Sequence, residues 1–543
     1  MNRTLPHPKS DPQAQLLQGL LQAHAYPHEV GKVERIETHI STVLLAGKFA
    51  YKIKKPVNLG FLDFSTLQLR RHYCEEELRL NRRLAPRLYL EVVGIAGSVD
   101  APRIGPLNLP NAEGAIEYAV KMERFEQSAL LDRMLAGGAL TSRHLDALAA
   151  TVAAFHARIE RSVAGGNDHA GYGTPASIEA PVRQNFEQIR PLLETGAERA
   201  ALARLEEWSR AAHAGLSPLM EERRRAGFVR ECHGDLHLGN ITWIDGEIQV
   251  FDCIEFNPRL RWIDVASEIA FTVMDLAARG RPDWGARFLN AYLEITGDYA
   301  ALRLLKYYLV YRAMVRAKVA RIRAAQTGDE LRQAGLHRAV LDDYADHIKL
   351  ATSYTEPGKA ALIVTRGVSG SGKTTATQPL VEQLGAVRMR SDVERKRLHG
   401  LPREARSHSA LNAELYAPAA SQATYAELRR LAALAIAAGY PVIADATFLR
   451  RAWRDDFRAL AAELNVPFLI FECRADAAEL RRRVAQRERC GQDASEGTLA
   501  VLERQLQEDE ALSAEEAECA VIVDTQRVTP DEIVDRVRSR LAA

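Results

Sequence analysis

Residues 367–374 read Gly-Val-Ser-Gly-Ser-Gly-Lys-Thr, and this stretch decides the fold of the C-terminal part of the chain. It follows a predicted strand, 360–365, and opens a predicted helix, which is the context in which a glycine-rich turn forms a phosphate-binding loop. The glycines let backbone N–H groups converge on phosphate oxygens, and the helix N-terminus adds partial positive charge. A glycine- and serine-rich turn without a nucleotide is the alternative.

The loop predicts a site for ATP and Mg²⁺. Lys373 is expected to reach the β- and γ-phosphates, and Thr374 to be a Mg²⁺ ligand. The residues predicted to bind the nucleotide are Gly367, Ser369, Gly370, Ser371, Gly372, Lys373, Thr374 and Thr375.

Around this loop, short apolar strands alternate with helical segments, which is typical of an α/β fold with a parallel sheet and helices on both faces. The predicted strands are 360–365, 386–389, 441–444, 467–473 and 520–523. The sequence therefore predicts a P-loop domain over residues 360–543.

The strand after the loop ends in Met389-Arg390-Ser391-Asp392. This arrangement resembles the polynucleotide kinase, zeta toxin and chloramphenicol or gluconate kinase branch of P-loop kinases. The resemblance implies that Asp392 deprotonates an acceptor hydroxyl and that Arg395 faces an anionic group of the substrate. The alternative for Asp392 is a helix N-cap.

Two further features fit the same branch. Asp445 ends the third predicted strand, where it is expected to orient substrate or Mg²⁺-bound water. An arginine-rich helix then precedes Asp493-Ala494-Ser495, as in the mobile lid of this branch. Arg483 and Arg487 share one helical face and are the candidates for transition-state charge stabilisation. A solvated basic helix face is the alternative.

A second constellation lies upstream, where residues 233–240 read His-Gly-Asp-Leu-His-Leu-Gly-Asn. Asp235 and Asn240 have the Asp-x-x-x-x-Asn spacing of kinase catalytic loops, and Asp252 ends a predicted strand. This spacing predicts that Asp235 takes the acceptor proton while Asn240 and Asp252 hold Mg²⁺ over the phosphates. His233 and His237 either ligate a metal or fix the loop by hydrogen bonds, and the second interpretation is favoured.

A kinase also needs a cation on an upstream strand, and Phe49-Ala50-Tyr51-Lys52 has the required pattern. Lys52 is the first choice and Lys54, on the same face of the strand, is the second. Among the three consecutive glutamates that begin at Glu75, Glu77 is chosen as the partner acid; a solvated acidic helix face is the alternative.

The His-Gly-Asp-x-His-x-Gly-Asn loop followed by an Asp at a strand end resembles the aminoglycoside phosphotransferase and choline kinase group. The resemblance implies an α+β, two-lobed, protein-kinase-like fold over roughly 16–350 that phosphorylates hydroxyl groups of small molecules. Two departures count against a protein kinase: no GxGxxG loop is present, and Cys253 follows Asp252. Asp264 matches a structural Asp of the group and is expected to cap a helix.

Both halves together resemble bacterial proteins in which an aminoglycoside phosphotransferase-like domain is fused to an AAA-labelled ATP-binding domain. The predicted domains are 1–352 and 360–543, joined by a linker at 353–359. The leading hypothesis is a tandem, Mg²⁺-dependent ATP kinase with small-molecule acceptors. In the alternatives, one domain is a nucleotide-binding regulator, or the C-terminal domain phosphorylates nucleic-acid ends.

Composition narrows the function classes. The chain has 72 basic and 71 acidic residues, which removes the general electrostatic argument for a nucleic-acid binder. No apolar run reaches the roughly 18 residues that a membrane-spanning helix needs, and the first residues do not have the pattern of a secretory signal. We therefore expect a cytoplasmic protein with reduced cysteines. The sequence does not determine the oligomeric state.

The N-terminal part predicts a hairpin of 33–45 and 48–54, a helix at 65–84 and strands at 88–95 and 115–125, with a surface loop at 101–114. Helices are predicted at 129–135 and 142–159 and almost throughout 263–350.

Overall fold

The computed structural model of the chain describes residues 12–60, 62–106, 114–162, 171–326, 336–403, 405, 417–490 and 497–542. An antiparallel sheet forms its N-terminal part. The chain divides into two compact units: the first comprises 1–144, 154–177 and 221–268, and the second comprises 145–153, 178–220 and 269–543. The predicted domain limits, 1–352 and 360–543, stay a prediction.

The sheet of the first unit has six strands in the order β1-β2-β3-β6-β4-β5, all antiparallel. The strands are β1 (Val33–Glu37), β2 (Ser41–Ala46), β3 (Phe49–Lys54), β4 (Tyr89–Ser98), β5 (Ala101–Pro106) and β6 (Glu117–Glu123). Leu44, Tyr51, Ile53 and Ile95 are fully buried in its core. The alternation of these apolar side chains along the strands explains why one face of the sheet is covered.

Two segments of this sheet differ from the prediction. The segment predicted as one strand, 33–45, contains both β1 and β2, because Thr38 Oγ1 accepts a hydrogen bond from Ser41 N in a turn between them. The predicted surface loop at 101–114 begins with β5, which pairs with β4; residues 107–113 of that loop lie outside the described residues.

Helix α2 (Leu67–Asn81) follows β3 and carries a site residue. It begins where it does because Thr66 caps it, with its hydroxyl accepting a hydrogen bond from Leu69 N at 3.2 Å. Cys74, Glu77 and Leu80 are buried at i, i+3 and i+6 on one face of the helix. The Glu77 side chain is therefore held against the sheet and away from water.

The remaining elements of the first unit place the kinase-type loop. Short strands β7 (Val229–Glu231) and β10 (Trp262–Asp264) pair with each other, as do β8 (Ile241–Ile244) and β9 (Glu247–Val250). The loop 233–240 joins β7 to β8, and Asp252 lies two residues after β9. Other helices that begin in this unit are α1 (Pro12–Leu20), α3 (Leu131–Ala136), α4 (Ser142–Arg158), α5 (Pro175–Ile189), α7 (Pro258–Arg261) and α8 (Val265–Ala278).

Helices dominate the first part of the second unit. They include α6 (Gly196–Arg225), α9 (Pro282–Thr296), α10 (Leu302–Gln326) and α11 (Leu336–Thr355). Helix α6 belongs to this unit as far as residue 220. Helices α10 and α11 pack against each other. The predicted, almost continuous helical character of 263–350 is found in the described residues of that range; 327–335 lie outside them.

A five-stranded parallel sheet forms the rest of the second unit, in the order β12-β13-β11-β14-β15. The strands are β11 (Leu362–Arg366), β12 (Val387–Arg390), β13 (Val442–Asp445), β14 (Phe468–Arg474) and β15 (Ala520–Asp524). All five residues of the central strand β11 are buried, as expected for a parallel strand covered on both faces. The five strands and the parallel α/β architecture confirm the prediction.

Helices connect these strands: α12 (Lys373–Leu384), α13 (Ser391–Leu398), α14 (Pro418–Ala437), α15 (Arg451–Glu463), α16 (Ala477–Cys490), α17 (Leu499–Gln507), α18 (Ala514–Glu518) and α19 (Pro530–Ala542). The strands that follow β11 in the chain lie first on one side of it, where β13 is its neighbour, and then on the other side, where β14 is its neighbour. Ligands of such sheets bind outside the carboxyl ends of the strands at this change of side. No helix in the described part of the chain has the length and apolar character needed to cross a membrane.

Candidate active sites

Lys52 on β3 and Glu77 on α2 form the first ion pair of the N-terminal site. Lys52 Nζ lies 2.7 Å from Glu77 Oε1, and it also contacts the carboxylate of Asp252. Burial alone would lower the pKa of Lys52, but the carboxylates of Asp252 and Glu77 outweigh it and raise that pKa well above its usual value. The structure thus brings three of the predicted site residues together.

Lys54, the second choice from the sequence, lies in the same cluster. Its Nζ is 2.7 Å from Glu77 Oε2 and contacts the carboxylate of Glu255, and all three side chains are buried. Burial raises the pKa of Glu255, whereas the two lysines outweigh burial at Glu77 and lower its pKa. Glu77 therefore stays ionised and pairs with two cations at once.

The loop 233–240 brings Asp235 and Asn240 into contact. Asn240 Nδ2 donates to Asp235 Oδ2 at 3.0 Å and to Asp235 O at 3.1 Å. Both amide hydrogens are thereby used, and the side-chain oxygen of Asn240 is the atom suited to a cation. Gly234 allows the bend: its φ is 89°, and a Cβ there would lie 2.7 Å from Leu260 O.

The two histidines of this loop make hydrogen bonds within the first unit. His233 Nδ1 accepts from Asp235 N at 3.3 Å, so Nε2 is the nitrogen that donates to Phe251 O at 2.9 Å. His237 Nδ1 accepts from Gly239 N at 3.1 Å. Burial lowers the pKa of His233 to about 4 and keeps its ring neutral. This geometry fits the interpretation that the histidines fix the loop.

Several residues that the sequence did not single out support this site. Glu268 accepts hydrogen bonds from His233 N at 2.9 Å and Gly234 N at 3.0 Å. Tyr89 accepts from Asp252 N at 3.2 Å. A glutamate inside the apolar run Val265–Ala278 was the available signal for Glu268, because a buried acid requires partners. Asp264 caps α8 as expected, since its Oδ1 accepts from Ala266 N at 2.8 Å.

The donor set of the first site fits Mg²⁺ and a triphosphate. Asn240 and Asp252 supply oxygen donors, which are the ligands that Mg²⁺ prefers, and Lys52 supplies the cation for phosphate oxygens. Among the described residues, no group of three or more His, Cys, Asp and Glu side chains is arranged to hold a metal by itself. Such a set is expected of a cation that is held jointly by protein and nucleotide.

In the second unit, a cavity of about 500 Å³ lies along the carboxyl edge of the parallel sheet. The predicted site residues that line it are Ser369, Gly370, Gly372, Lys373, Thr374, Thr375, Asp392, Arg395, Asp445, Arg483 and Arg487. Gly367 and Ser371 are buried in the loop itself. The parallel register explains this clustering, because β11, β12 and β13 end at the same edge.

The phosphate loop has the backbone that its glycines predict. Gly367 has a φ of 144°, and a Cβ there would lie 2.7 Å from Cys473 O. Lys373 Nζ donates to Gly367 O at 2.8 Å and to Val368 O at 3.0 Å, and burial lowers its pKa. The lysine is therefore held over its own loop.

Thr374 and Asp445, which both line this cavity, form a pair. Thr374 Oγ1 donates to Asp445 Oδ2 at 2.7 Å. A hydroxyl and a carboxylate beside a phosphate loop are oxygen donors that fit Mg²⁺. The carboxylate predicted to face substrate or Mg²⁺-bound water lies against the predicted metal ligand.

Asp392 and Arg395 lie on α13, and both line the cavity. The helix begins at Ser391 with Arg390 at its N-cap position, so Asp392 lies inside the first turn. The alternative of Asp392 as the N-cap residue is therefore wrong. Arg395 is nearly buried, with its Nε 3.5 Å from Thr424 Oγ1.

The two lid candidates lie on α16. Arg483 Nη1 donates to Thr525 Oγ1 at 2.9 Å and to Gly370 O at 3.3 Å, and Arg487 Nη2 donates to Gly497 O at 2.9 Å. Both guanidinium groups therefore lie near the phosphate loop. The predicted Asp493-Ala494-Ser495 part of the lid lies outside the described residues.

The predicted site residues leave out several contributors to this cavity. Gln505 on α17 accepts a hydrogen bond from Ser369 N at 2.7 Å. Tyr425 and Trp453 stack with ring centroids 4.4 Å apart, and both line the cavity. No motif marks these residues, since they lie on helices far apart in sequence.

Two family models match the chain. The phosphotransferase enzyme family matches residues 66–305, and an AAA domain matches residues 362–512. These matches confirm the predicted resemblance and fold classes: a protein-kinase-like phosphotransferase part followed by a P-loop kinase part. ATP is the phosphate donor that both families imply.

Relatives cover nearly the whole chain. Uncharacterized proteins of Mycobacterium tuberculosis and Mycobacterium bovis are 31% identical to it over 469 residues, which is 86% of this chain and 88% of each relative. The two parts therefore occur in the same order in these relatives.

Similar solved structures cover one part or the other. A gluconokinase from Sinorhizobium meliloti is 22% identical, covers 34% of this chain and 91% of its own, and has a TM-score of 0.24. An ethanolamine kinase from Plasmodium vivax is 11% identical, with 60% and 82% coverage and a TM-score of 0.35. A putative aminoglycoside phosphotransferase from Ralstonia eutropha is 12% identical, with 63% and 98% coverage and a TM-score of 0.35.

Proposed function

Because the chain belongs to the family of two-part proteins that join a phosphotransferase segment to a P-loop kinase segment, we propose that it is a tandem kinase. Each site transfers the γ-phosphate of ATP to a hydroxyl group of a small molecule. The observation that carries the proposal is that each unit holds its own set of a lysine, an acidic side chain and oxygen donors for Mg²⁺.

At the first site, Lys52 binds the α- and β-phosphates while Glu77 holds its ammonium group in place. Asp235 accepts the proton of the acceptor hydroxyl. At the same time the acceptor oxygen bonds to the γ-phosphorus, and the bond from that phosphorus to the leaving ADP oxygen breaks. Asn240 orients the Asp235 carboxylate through its 3.0 Å hydrogen bond. Asn240 and Asp252 would hold Mg²⁺, which would supply charge neutralisation at the phosphates.

At the second site, Lys373 leaves the carbonyls of Gly367 and Val368 and binds the β- and γ-phosphates. Thr374 and Asp445 would hold Mg²⁺ there. Asp392 accepts the acceptor proton, and Arg483 and Arg487 stabilise charge on the transferred group.

The acceptor of the second site carries an anionic group. Arg390, Arg395 and Arg450 line the cavity together with Asp392. The stacked rings of Tyr425 and Trp453 provide an apolar wall beside them. A small organic anion with a hydroxyl group satisfies both surfaces.

The test is an untargeted screen of metabolites for phosphorylated products, with ATP and Mg²⁺. Wild type is compared with Asp235→Ala and Lys373→Ala, and with control variants at the exposed residues Asp346 and Lys359. We expect one product to disappear only with Asp235→Ala and another only with Lys373→Ala. If ATP consumption with every acceptor persists in the variant that combines Asp235→Ala with Lys373→Ala, the proposal fails. A single product class that depends on one site alone supports the regulator alternative instead.

A further inference from the structure

The C-terminal end of α9 lies against the strand and helix that carry the acceptor residues of the second site. Asn290 Oδ1 accepts a hydrogen bond from Arg388 N of β12 at 2.7 Å, and Glu294 O accepts one from Arg397 Nη2 of α13 at 2.6 Å. Tyr299, just beyond α9, donates to Glu394 at 3.3 Å. Helix α13, which holds Asp392 and Arg395, is thereby fixed on its outer side.

The carboxylate of Glu294 reaches the cavity through Arg390. Glu294 Oε1 lies 3.3 Å from Arg390 Nη1 and 3.7 Å from Arg403 Nη1. Glu294 is 7% exposed, and Arg390 is among the residues that line the cavity. A nearly buried carboxylate requires cationic or hydrogen-bonding partners, so this contact restrains both side chains.

We propose that Glu294 is a positioning residue for the second kinase site, acting through Arg390 on the anionic end of the acceptor. The inference rests on the proposed function of that site. Glu294 lies in the segment matched by the phosphotransferase family, whereas Arg390 lies in the segment matched by the AAA domain. The acceptor end of the P-loop kinase is therefore completed by a helix that precedes it in the chain.

Position and charge predict opposite results when this carboxylate is removed. Glu294→Gln removes one negative charge from the acceptor end, and that change alone would strengthen binding of an anion. If Glu294 instead aims the Arg390 guanidinium, its loss releases the guanidinium and weakens binding. Glu294→Asp keeps the charge but withdraws it by one methylene, so only a positioning role predicts that both variants weaken binding.

The primary test needs no acceptor. The full chain, with Mg²⁺ and ADP, is treated with phenylglyoxal, and the modification rate of Arg390 is measured by peptide mass spectrometry. We expect Glu294→Gln to accelerate modification of Arg390 at least threefold, with the exposed Arg482 unchanged as an internal reference. The matched control is Glu382→Gln, which removes the 2.7 Å pair between Glu382 and Arg287 in the N-terminal half of α9. An unchanged Arg390 rate in Glu294→Gln, or an equal acceleration in the control, would overturn the inference.

The acceptor that the metabolite screen assigns to the second site gives the functional readout. Glu294→Gln and Glu294→Asp are both expected to raise the KM for that acceptor about 5- to 10-fold, with the KM for ATP unchanged within twofold. A lower acceptor KM in Glu294→Gln would contradict positioning. If the screen finds no product at the second site, the proposed function fails, while the arginine rates still decide whether Glu294 restrains Arg390.

Discussion

Lys52 and Lys54 share one carboxylate: their Nζ atoms each lie 2.7 Å from an oxygen of Glu77, one on Oε1 and one on Oε2. The two lysines differ in their second partner. Lys52 contacts Asp252, whose side chain is 46% exposed, and Lys54 contacts Glu255, whose side chain is 4% exposed. Lys52 thus faces the nucleotide end of the cluster, and Lys54 faces the interior.

This difference predicts that the two lysines separate activity from stability. Lys52→Met is expected to reduce transfer at the first site about 10²- to 10³-fold, because a preorganised cation at the phosphates is lost. Lys54→Met is expected to lower the free energy of unfolding by about 3–5 kcal/mol, because it leaves buried carboxylates uncompensated. Product formation and urea denaturation measure the two effects.

The control for Lys54 is the double variant Lys54→Met with Glu255→Gln. It removes the buried charge that Lys54→Met leaves unpaired, so we expect it to regain about half of the lost stability. Equal stability of the single and double variants would show that Lys54 does not act as the partner of Glu255.

Gln505 accepts a hydrogen bond from a backbone N–H that is predicted to bind a phosphate oxygen of the nucleotide. Because Ser369 N must exchange the Gln505 oxygen for a phosphate oxygen, Gln505→Ala is expected to tighten binding of Mg²⁺-ATP about 2- to 10-fold. Gln505→Glu is expected to weaken it by charge repulsion. Calorimetric titration in a Lys52→Met background reports the second site, with the exposed Gln507→Ala as control. Weaker binding in Gln505→Ala would instead make Gln505 a nucleotide ligand.

Arg482 and Arg483 provide a matched pair on the lid helix. Both guanidinium groups lie 2.6 Å from the Glu479 carboxylate, but only Arg483 lines the cavity. Arg483→Ala is expected to lower kcat at the second site about 10³-fold, as for arginines that stabilise a transferred phosphoryl group, and Arg482→Ala is expected to leave it unchanged. Steady-state kinetics with the identified acceptor decides; a similar loss in both variants would assign the effect to helix stability.

His233 predicts a pH dependence of stability. Burial lowers its pKa from 6.5 to about 4 in the folded chain, so the unfolded chain binds a proton first as the pH falls. Its contribution is complete above about pH 6.5 and is lost as the pH falls toward 4, by about 3 kcal/mol in total. Urea denaturation between pH 7 and 4.5 should show a shallower decline for His233→Gln than for wild type. The exposed His24→Gln should behave as wild type; parallel curves for all three would contradict the assignment.

Local patterns in the sequence predicted much of the fold and both sites. Glycine positions, the Asp235–Asn240 spacing and short β-branched runs act over a few residues, and the structure bears out the five parallel strands they predict. The turn at Thr38, by contrast, has no glycine or proline, so the separation of β1 from β2 left no signal.

Contacts between distant residues were beyond such patterns. Glu255 is 201 residues from Lys54, and Arg390 is 96 residues from Glu294. The hydrophobic periodicity of the sequence around Glu255 and Glu294 describes only the strand end or the helix in which each residue lies. Their partners are set by tertiary packing, which a single sequence does not encode in local spacing.

The hydrogen bond from Arg388 N to Asn290 has a consequence for how this chain can be divided. Strand β12 is one of the two edge strands of the parallel sheet, and an edge strand with open amides is a template for pairing with a second molecule. A fragment starting at residue 360 would carry β12 without the helix that covers it, and would leave the Arg388 amide open at the sheet edge. The phosphotransferase segment thus also shields one edge of the parallel sheet.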